Sequence, residues 1–285
     1  IYGHAEALRG ENLKEFVIGK NDEGQRLDRF IGKAIPLLPP SLAQKYIRLK
    51  RIKVNGKGSR RDYKLALGDT LQCYINDEFF VKPSEKDAHL HIREPKLDIV
   101  YEDRHILLVN KPEGMLCHSA VDYSYNTLIA HIQAYLREKG EWNPADENSF
   151  APALCNRIDR NTQGIVIAAK TAEALRVMNE KIKNREIDKF YLCIVHGVPK
   201  PSEGTLTDYI FKDASKNQVY VRKTPEKGAK KAVTKYKTLK TKNGLSLLEC
   251  ELVTGRTHQI RAQLAAAGHP LLGDGKYGRE SRNKP

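Results

Sequence analysis

Residues 153–169 read ALCNRIDRNTQGIVIAA, and this stretch joins two apolar segments through a polar loop. Its end, residues 164–169, is a run of β-branched and small residues that predicts a buried strand. The loop before it carries Asp159 between Arg157 and Arg160. Two flanking cations favour the ionised carboxylate that a nucleophile or a general base requires. A turn in which Asp159 and Thr162 satisfy backbone donors explains the same residues, and the local pattern alone favours that interpretation.

Outward from this stretch, the chain alternates between strand-like and helix-like patterns. Several predicted strands follow one another through short turns, which favours antiparallel pairing. We therefore predict an α+β fold with a mainly antiparallel, mixed sheet, preceded by a small α/β domain. The predicted strands beyond residue 97 are 98–101, 106–109, 164–169, 190–196, 205–211, 219–222, 232–239 and 245–253, and the predicted helices are 127–139, 172–183 and 258–267.

The region before residue 80 is rich in basic residues. Two helical patterns, the second with Ser41 as its expected cap, precede a strand at 52–54 and an Asn-Gly turn. Residues 41–64 contain nine Lys or Arg and a single acid, Asp62. A solvated basic face explains this density, and so does a surface that binds phosphates, which we favour. The residues assigned to that surface are Lys45, Arg48, Lys50, Arg51 and Lys53.

The overall charge supports a polyanionic partner. The 285 residues carry a formal net charge of +14, and 40% are hydrophobic. The chain shows neither an apolar run long enough to cross a membrane nor a signal-peptide pattern, so we expect a cytoplasmic protein. Its five scattered cysteines argue against disulfides and zinc. Because nucleotide-binding and hydrolase motifs are also missing, we expect no cofactor and no metal.

Composition shifts suggest four segments. These are an N-terminal extension (1–22), a small basic domain (23–80), a polar linker (81–96) and a larger domain that contains the Asp159 loop (97–285). The linker carries His89 and His91, which could form a weak metal motif but which we expect to be solvated.

Four further motifs follow in a fixed order. Residues 110–115 read NKPEGM with His118 close behind, residues 189–191 read KFY, residues 254–261 read TGRTHQIR, and residues 273–278 read GDGKYG. Together with the Asp159 loop, this order over residues 97–278 resembles the RluA-type pseudouridine synthases. Residues 23–76 similarly resemble the S-four-type RNA-binding domain that many of these enzymes carry.

The resemblance implies the isomerisation of uridine to pseudouridine in RNA without a cofactor. It assigns the essential aspartate to Asp159, which would attack either the ribose anomeric carbon or carbon 6 of the base. Tyr191 matches a tyrosine that stacks on uracil, and Arg261 matches the basic residue that pairs with the aspartate. The positions implied to contact RNA in the catalytic domain are Arg157, Arg160, Lys111, His118 and Arg256.

The chain departs from the commonest family motif at three positions. Asn156 stands in place of His, Ile158 in place of Leu, and Gln163 in place of Ser. The aspartate and both flanking arginines are kept, so we expect the reaction to be retained and the choice of target to differ.

Three functional hypotheses are compatible with these features. The first is the synthase, the second is a non-catalytic RNA-binding protein on the same scaffold, and the third is a glycosylase that releases uracil. The presence of Asp159, Tyr191 and Arg261 favours the first. The expected partner is RNA, ribosomal RNA first and transfer RNA second, with no role for DNA or membranes, and we expect a monomer.

Overall fold

The computed structural model describes residues 13–80, 84–119, 126–213, 215–216 and 218–278. It confirms the α+β prediction, and the ladders between the described strands are antiparallel. The contacts divide the chain into two compact units, residues 1–180 and 181–285. Among the described residues, none of the helices is both long and apolar enough to span a membrane.

Residues 13–80, here called the N-terminal module, place two helices against a four-stranded sheet of order β1-β4-β2-β3. Its core includes Phe30, Ile31 and Leu71, which are fully buried. Burial of such a side chain contributes about 1.5–3 kcal/mol. The elements are β1 (Leu13–Val17), α1 (Leu27–Ala34), α2 (Pro40–Arg48), β2 (Ile52–Val54), β3 (Lys57–Gly58) and β4 (Thr70–Tyr74).

Two expectations for this region were wrong. β1 pairs with β4 in the register Leu13↔Tyr74, so residues 13–22 belong to the module and not to a separate extension. Residues 1–12 lie outside the described part of the chain. Helix α2 begins at Pro40 after Pro39, so Ser41 does not cap it. Proline suits the first helical position because its missing N–H would have no helical partner there.

A second four-stranded sheet, of order β5-β6-β8-β7, lies in the same unit. β8 matches its predicted bounds of 164–169. β8 starts at Gly164, whose φ of +141° suits a residue without a Cβ atom. Buried Leu107, Val109 and Val166 face helix α3 through a common core cluster. The elements are β5 (Ile99–Glu102), β6 (Ile106–Lys111), α3 (Leu128–Glu138), β7 (Ala153–Leu154), β8 (Gly164–Ala169) and α4 (Ala172–Lys183).

The predicted linker is structured where it is described. Residues Ser84–His91 form a 3-10 helix that packs against α3. His89 is 1% exposed, and its ring lies edge-on to Trp142 with 5.1 Å between centroids. The expectation that His89 is solvated was therefore wrong, because a tryptophan distant in sequence covers it.

The N-terminal module is joined to the second sheet by polar contacts. The carboxylate of Asp22, 1% exposed, accepts hydrogen bonds from Ser149 Oγ at 2.5 Å and Asn148 Nδ2 at 2.9 Å. Asn21 donates to Glu147 Oε1 at 2.7 Å and accepts from the backbone N–H of Ala172 at 3.1 Å. These bonds explain why residues 1–180 form one unit across the boundaries predicted near residues 80 and 96.

The described part of residues 181–285 contains a five-stranded sheet of order β11-β10-β12-β13-β9 and the helix α5. β9 matches its predicted bounds. Gln263 of the helix is 1% exposed and bonds to Asp208 Oδ2 and Thr234 Oγ1, both at 2.8 Å, which attaches the helix to β10 and β12. The elements are β9 (Phe190–His196), β10 (Glu203–Asp213), β11 (Gln218–Arg222), β12 (Lys230–Lys242), β13 (Leu245–Leu252) and α5 (Gln259–Ala266).

Candidate active site

The loop that carries Asp159 is closed by its own backbone and tied to β8. Thr162 N–H donates to the carbonyl of Asp159 at 3.1 Å. Asn156 Oδ1 accepts from Ile167 N–H at 2.8 Å, and its Nδ2 donates to Ile165 O at 3.3 Å. Asn156 therefore fixes the start of the loop to the strand that follows it. Its amide gives a structural reason for one departure from the commonest motif.

A neighbouring loop, residues 111–117, fastens the Asp159 loop from the other side. Lys111 Nζ donates to the carbonyls of Pro112, Met115 and Arg160 at 2.7, 2.9 and 3.0 Å. Arg160 Nε donates back to Gly114 O at 2.9 Å. These bonds hold both loops at the end of the β6–β8 pair, where Lys111 stands opposite Gly164. The half-buried Asp159 is thus carried on a braced turn.

The expectation that Lys111 contacts RNA does not fit its placement. Its side chain is fully buried, and burial lowers its pKa, although the charges of Cys117 and Asp159 act in the opposite direction. Because three backbone carbonyls satisfy the ammonium, it remains a hydrogen-bonded cation inside the protein. Lys111 is therefore placed to hold the Asp159 loop.

Two of the expected RNA contacts lie on the surface near this loop. Arg157 and His118 are both exposed. Crowding by protein atoms, and to a smaller extent the charge of Arg157, lower the pKa of His118. At neutral pH its imidazole is therefore more fully neutral than an ordinary histidine, and it offers a polar contact more than a charge. The Nε atom of Arg160 is engaged with Gly114, as described above.

In the second unit, the structure places Tyr191 on β9 opposite Cys250 of β13. The half-buried tyrosine packs against the cluster of Val195, Leu248, Cys250 and Leu264. Arg256 lies in the turn before α5, where its Nε donates to Lys231 O at 3.0 Å.

The same turn is pinned by a buried glutamine. Gln259 Oε1 accepts from Arg256 N–H at 3.0 Å and from Thr254 Oγ1 at 2.8 Å, while its Nε2 donates to Val233 O and Thr234 Oγ1. In the TGRTHQIR motif, the side-chain amide of Gln259 therefore satisfies the backbone N–H of Arg256 in the turn and the backbone carbonyl of Val233 on β12.

Arg261, on α5, binds a carboxylate that sequence reasoning had not assigned. Its Nε donates to Asp274 Oδ2 at 2.8 Å and its Nη2 to Asp274 Oδ1 at 3.0 Å. Asp274 belongs to the GDGKYG motif, and its carboxyl was the signal that could have suggested a partner for Arg261. The expected pairing of Arg261 with Asp159 stays a prediction.

The basic residues of the N-terminal module fall into two groups. Lys45 and Arg48 line a groove of about 640 Å³ together with Arg60 and Arg61. Arg51 and Lys53 are absent from that lining; the first stacks on Tyr46 at 4.7 Å and the second lies over Tyr74 at 5.1 Å.

Lys50 is exposed, and the aliphatic part of its side chain packs against Gly58. The contact is so close that a side chain at position 58 would place its Cβ atom 2.7 Å from Lys50 Cγ. Arg60 and Arg61 were missed as site residues, although both belong to the basic run seen in the sequence.

All five cysteines are free in the structure. Within the described ranges, no group of three or more His, Cys, Asp or Glu side chains is arranged to hold a metal ion.

Comparison with known proteins identifies the class to which this fold and these motifs belong. A family model described as RNA pseudouridylate synthase matches residues 105–266, which include both the Asp159 loop and helix α5. The chain therefore belongs to the RNA pseudouridylate synthase family.

Individual relatives agree with this assignment. The chain is 33% identical over 270 residues to an RNA pseudouridine synthase of Mycoplasma genitalium, covering 92% of this chain and 81% of that protein. It is also 33% identical over 264 residues to ribosomal large subunit pseudouridine synthase C of Buchnera aphidicola, covering 92% and 79%. The predicted RluA-type enzyme is thereby confirmed, and with it the isomerisation of uridine to pseudouridine.

Solved structures show the same fold. Human RNA pseudouridylate synthase domain containing 1 matches with a TM-score of 0.53 and 24% identity, over 67% of this chain and 74% of that one. Human RNA pseudouridylate synthase domain containing 4 matches with the same score and identity, over 71% and 75%.

Proposed function

We propose that Asp159 is the nucleophile of this pseudouridine synthase and that its substrate is large-subunit ribosomal RNA. The observation that carries the first part is the bracing of the Asp159 loop by Lys111 and Asn156, within the residues that the family model matches. A carboxylate held on a rigid turn loses little freedom when it meets the substrate, which favours attack.

The proposed reaction is a rearrangement in which nothing is gained or lost overall. The Asp159 carboxylate attacks either the ribose anomeric carbon or carbon 6 of the base, and the bond between the ribose and uracil nitrogen 1 breaks. The uracil rotates, carbon 5 bonds to the ribose anomeric carbon, and the bond to Asp159 breaks, which regenerates the carboxylate. Carbon 5 then loses its proton to solvent, and nitrogen 1 takes up a proton from solvent. Uridine and pseudouridine contain the same atoms, and the reaction neither oxidises nor reduces the substrate. We therefore propose that the enzyme needs neither cofactor nor metal.

The other proposed roles follow from the resemblance and from side-chain chemistry. Tyr191 stacks on the uracil ring and its hydroxyl assists the transfer of the carbon 5 proton. Arg261 pairs with Asp159 and keeps its carboxylate ionised. Arg157, His118 and Arg256 hold the RNA while the target nucleotide is turned out of its stack, a step that costs a few kcal/mol.

We further propose that the N-terminal module binds RNA through its groove. The groove brings Lys45, Arg48, Arg60 and Arg61 together on the module. Lysine and arginine side chains that neutralise phosphates provide affinity without sequence choice. The module is joined by Asp22 and Asn21 to the sheet that carries the Asp159 loop, so RNA bound there would be held at a fixed distance from that loop.

Support for a ribosomal RNA substrate comes from relatives. Two similar proteins, from Buchnera aphidicola and Salmonella typhimurium, are named ribosomal large subunit pseudouridine synthase C and are 33% and 30% identical to this chain.

The test is to incubate the purified protein with transcripts of large-subunit ribosomal RNA and of transfer RNA, with and without a chelator, and to analyse the nucleosides. We expect pseudouridine in the ribosomal transcript, no free uracil and no effect of the chelator. Release of uracil would identify a glycosylase, and binding without product would identify a binding protein. Modification of transfer RNA alone would contradict the proposal that ribosomal RNA is the substrate. Loss of activity with the chelator would contradict the proposal that the reaction needs no metal.

A further inference from the structure

The turn after α5 sets a nearly buried carboxylate against Arg261. The side chain of Asp274 is 4% exposed, and that of Arg261 is 26% exposed. Two parallel hydrogen bonds, from Nε to Oδ2 and from Nη2 to Oδ1, join them. A two-point contact of this kind fixes the plane and the direction of a guanidinium, which a single contact would not do.

The Asp274 carboxylate is itself held in place. Its Oδ1 also accepts the backbone N–H groups of Lys276 at 2.9 Å and Tyr277 at 3.1 Å. Burial acts to raise the pKa of Asp274, but the bonds from Arg261 and from the two backbone amides together lower it below its usual range. The carboxylate is therefore ionised at neutral pH and can serve as a fixed anchor.

An aromatic ring supports the same guanidinium. The ring of Tyr277 lies 5.2 Å from Arg261 Cζ. The hydroxyl of Tyr277 is bonded to His258 Nδ1 at 2.8 Å and accepts from Val219 N–H at 3.1 Å. The ring is thus tied both to the residue that precedes α5 and to β11, so neighbouring elements limit the freedom of Arg261 on two sides.

We propose that Asp274 is a positioning residue that fixes the guanidinium of Arg261 in one orientation for the reaction. The proposal rests on the proposed role of Arg261 as the partner of the catalytic carboxylate. Asp274 acts only through Arg261, which has several rotatable bonds and would otherwise sample many rotamers. Fixing it in advance removes that entropic cost from the reaction step.

The test is Asp274→Asn in the full chain. An asparagine retains an Oδ1 that can accept from Lys276 and Tyr277, but its Nδ2 cannot accept from Arg261 Nε. We expect kcat to fall about 10- to 100-fold, as a misplacement near 1 Å produces, while KM changes less than about twofold. The readouts are kcat and KM for pseudouridine formation and the thermal unfolding midpoint.

The matched control is Asp208→Asn. Asp208 is also a buried carboxylate that contacts α5, through Gln263 Nε2 at 2.8 Å, and it pairs with Lys223 at 2.7 Å. Its partner on the helix is Gln263 and not Arg261. We expect Asp208→Asn to lower the unfolding midpoint but to keep kcat within about threefold. If both variants lose kcat equally, the effect is general loosening of α5 and the proposal is overturned.

Arg261→Lys separates this proposal from the proposed function. A lysine retains the charge but has no fork to receive Asp274. If Arg261→Lys keeps full activity, a positive charge alone suffices at this position, so the role proposed for Arg261 stands and the positioning role of Asp274 is overturned. If Arg261→Lys loses activity while Asp274→Asn keeps it, only the positioning role is wrong. The double variant carries both Asp274→Asn and Arg261→Lys. If each single variant loses kcat and the double variant loses little more than the worse single one, the two residues act as one unit. A loss of kcat in the double variant equal to the product of the two single losses would contradict the proposal.

Discussion

The β5–β8 sheet buries one lysine at each of its two ends, and the two lysines have opposite electrostatic settings. Lys111 ends β6 beside the Asp159 loop, bonds three backbone carbonyls, and has its pKa lowered by burial. Lys170 follows β8 at the far end and pairs with Glu102 at 2.9 Å and with Glu141. Burial acts to lower the pKa of Lys170, but the two carboxylates outweigh it and raise that pKa above its usual value.

The two lysines differ in what surrounds the charge: carbonyl oxygens accept hydrogen bonds from Lys111, whereas carboxylates balance the charge of Lys170. Carbonyl oxygens satisfy the hydrogen bonds of Lys111 without neutralising it, so the end with Asp159 keeps a positive charge inside the protein. At the other end, Glu102 and Glu141 meet Lys139 and Lys170, and their charges cancel. The first arrangement suits a site for an anionic carboxylate and RNA, and the second suits a structural clamp.

Lys111→Met should give the largest effect in this comparison. Methionine fills a similar volume but leaves the carbonyls of Pro112, Met115 and Arg160 without this donor, which costs about 2–4 kcal/mol. The Asp159 loop loses its brace, and we expect kcat to fall at least about tenfold. Urea unfolding and steady-state kinetics measure the two effects.

Lys170→Met is the matched control at the other end. Glu102 and Glu141 keep Lys139 as a partner, so we expect a cost of about 1–3 kcal/mol and kcat within about twofold of the original. Equal losses of kcat in both lysine variants would contradict the distinction between the two ends.

Glu102→Gln should give the next effect, and it should depend on pH. Lys139 and Lys170, helped by Tyr135, hold the pKa of Glu102 at about 2 even though burial acts to raise it. Because the folded pKa is depressed, the carboxylate stabilises the protein above pH 4.5, and this contribution is lost as the pH falls toward 2. We expect the variant to be about 2 kcal/mol less stable at pH 7.

Urea unfolding of the original protein and of Glu102→Gln at pH 7 and pH 3 measures this dependence. The gap between their unfolding free energies should narrow at pH 3. A gap of equal size at both values would show that Glu102 contributes through packing and not through charge.

Lys45→Ala combined with Arg48→Ala should give the smallest effect on activity and stability, because these residues are far in sequence from Asp159. If the groove binds phosphates, removing two contacts should lower the slope of log affinity against log salt by roughly 1.4 for single-stranded RNA. The control is Lys240→Ala with Lys242→Ala, two exposed lysines on β12 that remove the same charge outside the groove. Equal changes in both pairs would show only a general effect of net charge.

The sequence predicted those features that depend on neighbours along the chain. The bounds of β8, β9 and α4 match because their apolar periodicity is local and strong. The motif order also led to the family and to Asp159, Tyr191 and Arg261 as candidate residues.

Features that depend on distant partners could not be predicted in this way. β1 pairs with β4 some 57 residues away in the register Glu15↔Gln72, and His89 is covered by Trp142. The direction of Lys111 was also hidden, because a lysine in a turn motif can point to solvent or to carbonyls with the same sequence. The Asp274 anchor arises only when the GDGKYG turn folds back onto α5.

The most direct measurement of the central claim is the release of tritium from uracil carbon 5 in a single turnover by Asp159→Asn. Glu113→Gln, which changes an exposed carboxylate in the facing loop, is the control. We expect Asp159→Asn to bind RNA within about threefold of the original but to release tritium at least about 10³-fold more slowly, as loss of a nucleophile does. Glu113→Gln should behave as the original. Release by Asp159→Asn within about tenfold of the original rate would contradict the assignment of Asp159 as the nucleophile.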